Sequence, residues 1–245
     1  MSKTQKIQEL FANSKSLFEC AYVVDGIVDE EAYLASPIHT AFLLKETNGG
    51  TEEGHCDAMG NWDTFTRDLH NMALPKHHPD STPLYKTWPN VCLWMYLIHH
   101  PTASFSCCTE NGEFREEKVR HYLDTTAIIN IKKVPGGSSS VYEQLKTAAI
   151  NNHDFLLEQI EIVDPELIIC GGTYWVFKET FDQSSIQTGI LPTGTHYFLH
   201  NKKLYLEFPH PMWYNVDRKI LFAYAKEVFT EVRKLLVDMR STKEI

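Results

Sequence analysis

Apolar runs broken by loops rich in glycine, proline and charge divide this chain into alternating helical and extended segments. Residues 3 to 19 mix apolar and polar positions at helical spacing, and Asp29-Glu30-Glu31 opens a second short helix that must end before Pro37. Ile38 to Leu44 (IHTAFLL) reads as a buried strand closed by the polar loop KETNGGTEEGH. Residues 63 to 72 and 88 to 99 again have helical spacing, around a proline- and histidine-rich loop, and 113 to 123 predict a short charged helix. Thr125 to Ile131 (TTAIINI) predicts a second buried strand, followed by the loop KKVPGGSSS. A long helical pattern then runs from about Val141 to Val163, with Ser140 and Glu143 spaced as a capping box. Asp164-Pro165 stops it. Glu166 to Cys170 (ELIIC) predicts a third strand, and Gly171-Gly172-Thr173 turns the chain into a helix through Trp175 and Phe177.

Residues 195 to 208 predict a hairpin turning at His200-Asn201-Lys202, whose second run delivers His210-Pro211. Residues 216 to 239 predict an amphipathic terminal helix with Ile220, Leu221, Tyr224, Val228, Val232 and Leu235 on one stripe. Strands alternating with helices imply an α/β fold with a mostly parallel sheet, read as a single domain over residues 1–245. Ligands of such sheets bind outside the carboxyl ends of the strands. That rule selects three loops, after Leu44, after Asn130 and after Phe208.

Composition narrows the function classes. With 43% hydrophobic and 22% charged residues the chain has the balance of a folded globule. No apolar run approaches the roughly 18 residues of a membrane span, and the opening MSKTQKIQEL lacks the apolar region of a signal peptide, so a cytoplasmic protein without a membrane partner is expected. Cys20, Cys56, Cys92, Cys107, Cys108 and Cys170 have neither C-x-x-C nor zinc-type spacing. The pairs His77-His78, considered with His70 or Asp80, and His99-His100 lack the helical i, i+4 spacing that makes a metal site recognisable. No metal and no cofactor is expected. A net charge of −9 excludes a protein that coats nucleic acid by global electrostatics and confines any such contact to a local edge.

Each of the three loops has a chemical and a structural reading. Lys45-Glu46-Thr47-Asn48-Gly49-Gly50 joins a cation, a carboxylate and an amide at a strand end, where the carboxylate can activate a water; the alternative is a polar turn whose Lys45 and Glu46 face solvent. Asn130 is the one polar side chain in TTAIINI after its opening threonines. It can read a carbonyl beside an N–H on a base edge, or bond neighbouring backbone. Lys132, Lys133 and Gly136-Gly137-Ser138, ahead of a helix, suit an anion such as phosphate. His210, held between two prolines, can donate to an oxygen that gains charge in a transition state, or serve structure alone.

Taken in order, these segments resemble the uracil-DNA glycosylase superfamily, particularly its thermophilic-type branch. Lys45-Glu46-Thr47-Asn48-Gly49 stands where that branch has Gly-Glu-Ala-Pro-Gly, and Ile129-Asn130-Ile131-Lys132-Lys133-Val134-Pro135 fits its Thr-Asn strand with following Lys and Pro. Gln159-Ile160 with Asp164 to Gly171 resembles the next stretch, and His210-Pro211 with Arg218 the final one. The likeness covers roughly residues 38 to 50 and 125 to 230. It implies a three-layer αβα sandwich in which Glu46 positions or activates water, Asn130 reads the base edge and His210 stabilises the departing base. Lys45, Asn48 and Arg218 join them in substrate binding, and an aromatic such as Trp62 or Phe65 stacks on the flipped base. Lys45, Asn48 and Met212 depart from the family pattern, the branch's iron-sulfur cysteines are missing, and residues 51 to 124 match nothing in it and read as an insertion over the site.

Three functions follow. One is a hydrolase that excises uracil or another modified base from DNA. The second is a nucleotide- or nucleobase-binding protein that keeps the fold without cleavage, and the third a hydrolase of free nucleosides or nucleotides. The acidic net charge favours the latter two; the set Lys132, Lys133, Lys202, Lys203, Arg218 and Lys219, expected near the site edge, favours DNA.

Overall fold

The computed structural model of the protein describes residues 1–18, 22–47, 87–108, 121–136, 140–212 and 216–241, without the side chains of residues 107, 108 and 218. In chain order these form α1 (Lys3–Asn13), β1 (Gly26–Ile27), α2 (Glu30–Ala35), β2 (Thr40–Leu44), α3 (Thr87–His99) and β3 (Thr126–Asn130). They continue with α4 (Tyr142–Asn151), α5 (His153–Val163), β4 (Leu167–Gly171), α6 (Tyr174–Lys178), β5 (Gln187–Ile190), β6 (His196–His200), β7 (Lys203–Phe208) and α7 (Arg218–Ser241).

One seven-stranded mixed sheet has the order β1-β3-β2-β4-β7-β6-β5. The four central strands, β3, β2, β4 and β7, run parallel, while β1, β6 and β5 are antiparallel to their neighbours. Every residue of β2, β3 and β4 is buried. That is why these strands are continuous apolar runs and not alternating ones: helices cover both faces. On one face Phe42, Ile128, Ile169 and Leu206 pack against α3 and against Phe222, Ala225, Val228 and Phe229 of α7. On the other, Leu43, Ile129, Ile168 and Tyr205 meet Phe11 of α1, Leu145 of α4, Leu156 and Ile160 of α5 and Phe177 of α6.

The predicted strand positions agree with the structure, and the hairpin turn falls at Asn201 and Lys202, both in the left-handed region with φ of 48° and 62°. Three expectations are corrected. The long helix is two, broken at Asn152, whose side-chain amide donates to the Ile131 carbonyl at 3.1 Å and so ties the break to the end of β3. Ser140 caps nothing: α4 starts one residue later, with Val141 at the N-cap and no side-chain cap bond, whereas a full capping box stands at Ser2 and Gln5. The buried stripe of α7 is Leu221, Phe222, Ala225, Val228, Phe229, Val232 and Leu236, and Ile220 is 63% exposed. Within residues 51–124, α3 is buried from Asn90 to Ile98 and belongs to the core. Residues 63–72 lie outside the described residues, as do 113–120 of the 113–123 segment, whose residues 121–123 are helical.

Candidate functional site at the carboxyl ends of the parallel strands

The register places Leu44 opposite Asn130, Leu43 opposite Cys170 and Gly171 opposite Phe208, so the loops that follow β3, β2, β4 and β7 emerge side by side. Three inter-strand spacings of about 4.8 Å span roughly 14 Å, which gathers the four loops into one edge.

Backbone hydrogen bonds lace the first two loops together: Lys132 N–H donates to Lys45 O at 2.9 Å and Gly136 N–H to Thr47 O at 2.8 Å. Gly136 is buried beneath the Glu46 side chain, and a Cβ there would lie 2.7 Å from Glu46 Cγ and Oε1, so any larger residue would push that carboxylate from its position. Glu46 Oε2 and Thr47 Oγ1 are buried with no hydrogen-bond partner among the described residues. A buried carboxylate oxygen without a partner is costly and marks a place where a ligand or water would supply the missing bond.

The other two loops meet over Gly172, which adopts φ +68° directly after β4. A Cβ at that position would lie 3.3 Å from His210 Cβ and 3.4 Å from Lys45 Cε, so the lysine and the histidine converge above it. The turn is pinned by Thr173, whose hydroxyl donates to Leu43 O at 2.7 Å. The Pro209-His210-Pro211 segment is held from below: the Asn90 amide of α3 donates to Pro211 O at 2.6 Å.

His210 has one defined tautomer. Its Nδ1 accepts the Met212 backbone N–H at 3.1 Å, so the neutral ring carries its proton on Nε2. Burial, aided by the neighbouring Lys45 cation, lowers its pKa from the usual 6.5 to about 4. The ring is therefore a neutral N–H donor at physiological pH. We expect the His210 resonances to titrate near pH 4 by NMR, and Lys45→Gln to move that midpoint upward by removing the nearby cation. The unfolded ring binds its proton more tightly than the folded one, so this contribution is full above pH 6.5 and is lost as pH falls toward 4.

Asn130 sits at the end of β3, 4% exposed, in a network that sequence reasoning did not find. Its backbone and side-chain N–H groups donate to Asp25 Oδ2 at 2.7 and 3.0 Å. Asp25 Oδ1 accepts from Lys133 Nζ at 2.7 Å and from Gln159 Nε2 at 2.9 Å, and Lys133 also donates to Gln159 Oε1 at 2.7 Å. A carboxylate paired with a lysine accepts only, so it fixes which edge of the Asn130 amide faces it. Lys133, 1% exposed, is thus a structural cation, and burial lowers its pKa while the Asp25 charge opposes the shift.

This corrects the expected cationic edge. Lys203 is buried against Asp164 at 2.7 Å, and with Lys202 it stands at the start of β7, the far end of the sheet from His210. Lys132 remains near the site, with its Nζ donating to Gln144 Oε1 of α4 at 3.3 Å. Asn48, Trp62, Phe65, Gly137 and Ser138 lie outside the described residues, as does the side chain of Arg218. His100 hydrogen-bonds Tyr122, and no group of three metal-ligating side chains occurs among the described residues. Cys92 and Cys170 are buried free thiols. No helix among the described residues is long and apolar enough to cross a membrane.

Asn90 and Gly172 carried faint signals, one polar residue in an otherwise apolar helix and one glycine at a strand end, whereas Asp25 carried none. The chain matches no protein-family model and no curated protein sequence.

Proposed function

We propose that this protein is a base-excising hydrolase with a uracil-DNA glycosylase-like αβα fold, acting on uracil or another modified base flipped out of DNA. The observation that carries the reading is the fixed Nε2–H tautomer of His210, held neutral beside Lys45 on the same edge as a buried Glu46 oxygen that lacks a partner.

In this reading Glu46 takes a proton from water as the water oxygen bonds to the sugar carbon and the carbon–nitrogen bond breaks. The electron pair of that bond leaves with the base, whose oxygen accepts the His210 Nε2–H as charge builds on it. Lys45, where the family has glycine, adds positive charge beside that oxygen. Asn130, oriented by Asp25, reads the base edge, and Lys132 with the Gly136 loop lies toward the phosphate. Trp62 or Phe65 would stack on the base, with Asn48 and Arg218 completing the contacts. DNA is the partner, and neither metal nor cofactor has a part.

A second reading, a protein that binds or hydrolyses free nucleotides, gains from the removal of Lys133 and Lys203 from the surface of a chain with net charge −9. The test is base release from single-stranded and duplex DNA carrying uracil, hypoxanthine or xanthine, beside the corresponding free nucleosides and nucleotides. Release from DNA is expected for at least one base. Release from the free compounds alone would establish the second reading, and no release from any substrate would remove both hydrolases.

A further inference from the structure

A cleft of about 640 Å³ opens next to the candidate site, lined by Gly172, Trp175, Glu207, Pro209, Ile220 and Tyr224 among others. Its size is that of a small-ligand pocket. It shares Gly172 with the site: Lys45 and His210 stand against that residue, which also lines the cleft.

The wall has the chemistry of a stacking platform. Trp175 is 46% exposed, an unusual state for so large a ring, and its position is fixed. Its indole N–H donates to Glu207 Oε1 at 2.9 Å, and the other Glu207 oxygen accepts the His196 backbone N–H at 3.4 Å, so this carboxylate is occupied by protein donors. Lys178 Nζ stands over the Trp175 ring, 5.2 Å from its centroid, and has no carboxylate partner among the described residues. An exposed aromatic with an unpaired lysine against it suits a nucleobase stacked on the ring and a phosphate paired with the amine.

We infer that this cleft holds the base of the nucleotide next to the excised one in single-stranded DNA, stacked on Trp175 with its phosphate toward Lys178. The inference rests on the proposed reading in one respect, that a strand enters the neighbouring pocket. Continuity through Gly172 selects this occupant: the His210–Lys45 edge and the cleft both border that turn, so one strand can present adjacent nucleotides to the two.

The test uses a uracil-free, fluorescein-labelled oligothymidylate and the full chain, read by fluorescence anisotropy. Trp175→Ala is expected to weaken binding roughly tenfold, the usual loss for one stacked base, and Trp175→Phe to restore most of it. Lys178→Glu is expected to weaken binding and to flatten its salt dependence. Unchanged thermal melting of these variants separates the effect from misfolding, and the exposure of Trp175 makes that outcome expected. Equal affinity of Trp175→Ala and the unaltered protein, or no binding of the oligonucleotide at all, overturns the inference. Trp175-dependent binding without base release from any DNA overturns the proposed hydrolase and leaves the cleft assignment standing.

Discussion

Lys133→Met is expected to lower the stability of the protein by about 3–5 kcal/mol, the usual cost of stripping one partner from a buried ion pair. The pair is fully enclosed: Lys133 Nζ and Asp25 Oδ1 are 2.7 Å apart, with both side chains at 0% exposure. Methionine fills much of the lysine volume, so the loss comes chiefly from the uncompensated Asp25 carboxylate and not from a cavity. The double replacement Lys133→Met with Asp25→Asn removes both charges and is expected to be less destabilised than the single Lys133→Met. Urea denaturation midpoints for the two variants check this. If the double variant is the less stable of the two, the cost lies in lost hydrogen bonds to Asn130 and Gln159 and not in a stranded charge. The network also links stability to the candidate site, because Asp25 is what orients the Asn130 amide.

The second large effect concerns His210. Under the proposed hydrolysis, His210→Ala is expected to lower the rate of base release roughly 10²- to 10³-fold, the range measured when one donor to a developing oxyanion is removed. The loss should fall on the chemical step, because the neutral Nε2–H bonds most strongly to the oxygen once the base has gained charge. Single-turnover base release reads that step directly. A loss confined to substrate affinity, with an unchanged single-turnover rate at saturation, would refute the assigned role. His210→Gln keeps an N–H donor and should recover part of the rate. The ring is half-buried and Nδ1 accepts only the Met212 N–H, so the variant should melt within a few degrees of the unaltered protein.

Glu46 and His210 were legible in the sequence because each directly follows an apolar run that had to be a strand, and strand ends in a parallel sheet share one edge. The helices failed in detail for a physical reason. Ser140 with Glu143 has capping-box spacing, yet the first turn of α4 forms one residue later, and Asn152 interrupts the pattern because its amide reaches a carbonyl at the end of β3. The stripe on α7 was likewise set by what it packs against, since Phe222 and Phe229 face the sheet and Ile220 does not.

By itself the sequence determined the alternation of strands and helices, the positions of the parallel strands and the loops in which polar chemistry could gather. Those are local properties, carried by periodicity and by glycine and proline. Only the tertiary structure decided which polar residues serve the site and which serve the core. Lys133 reads beside Lys132 as a surface cation, yet it is buried against an aspartate 108 residues away. Lys202 and Lys203 read as neighbours of His210 and lie at the opposite end of its strand. The partner of a charge is fixed by packing between distant segments, and a one-dimensional pattern holds no record of that distance.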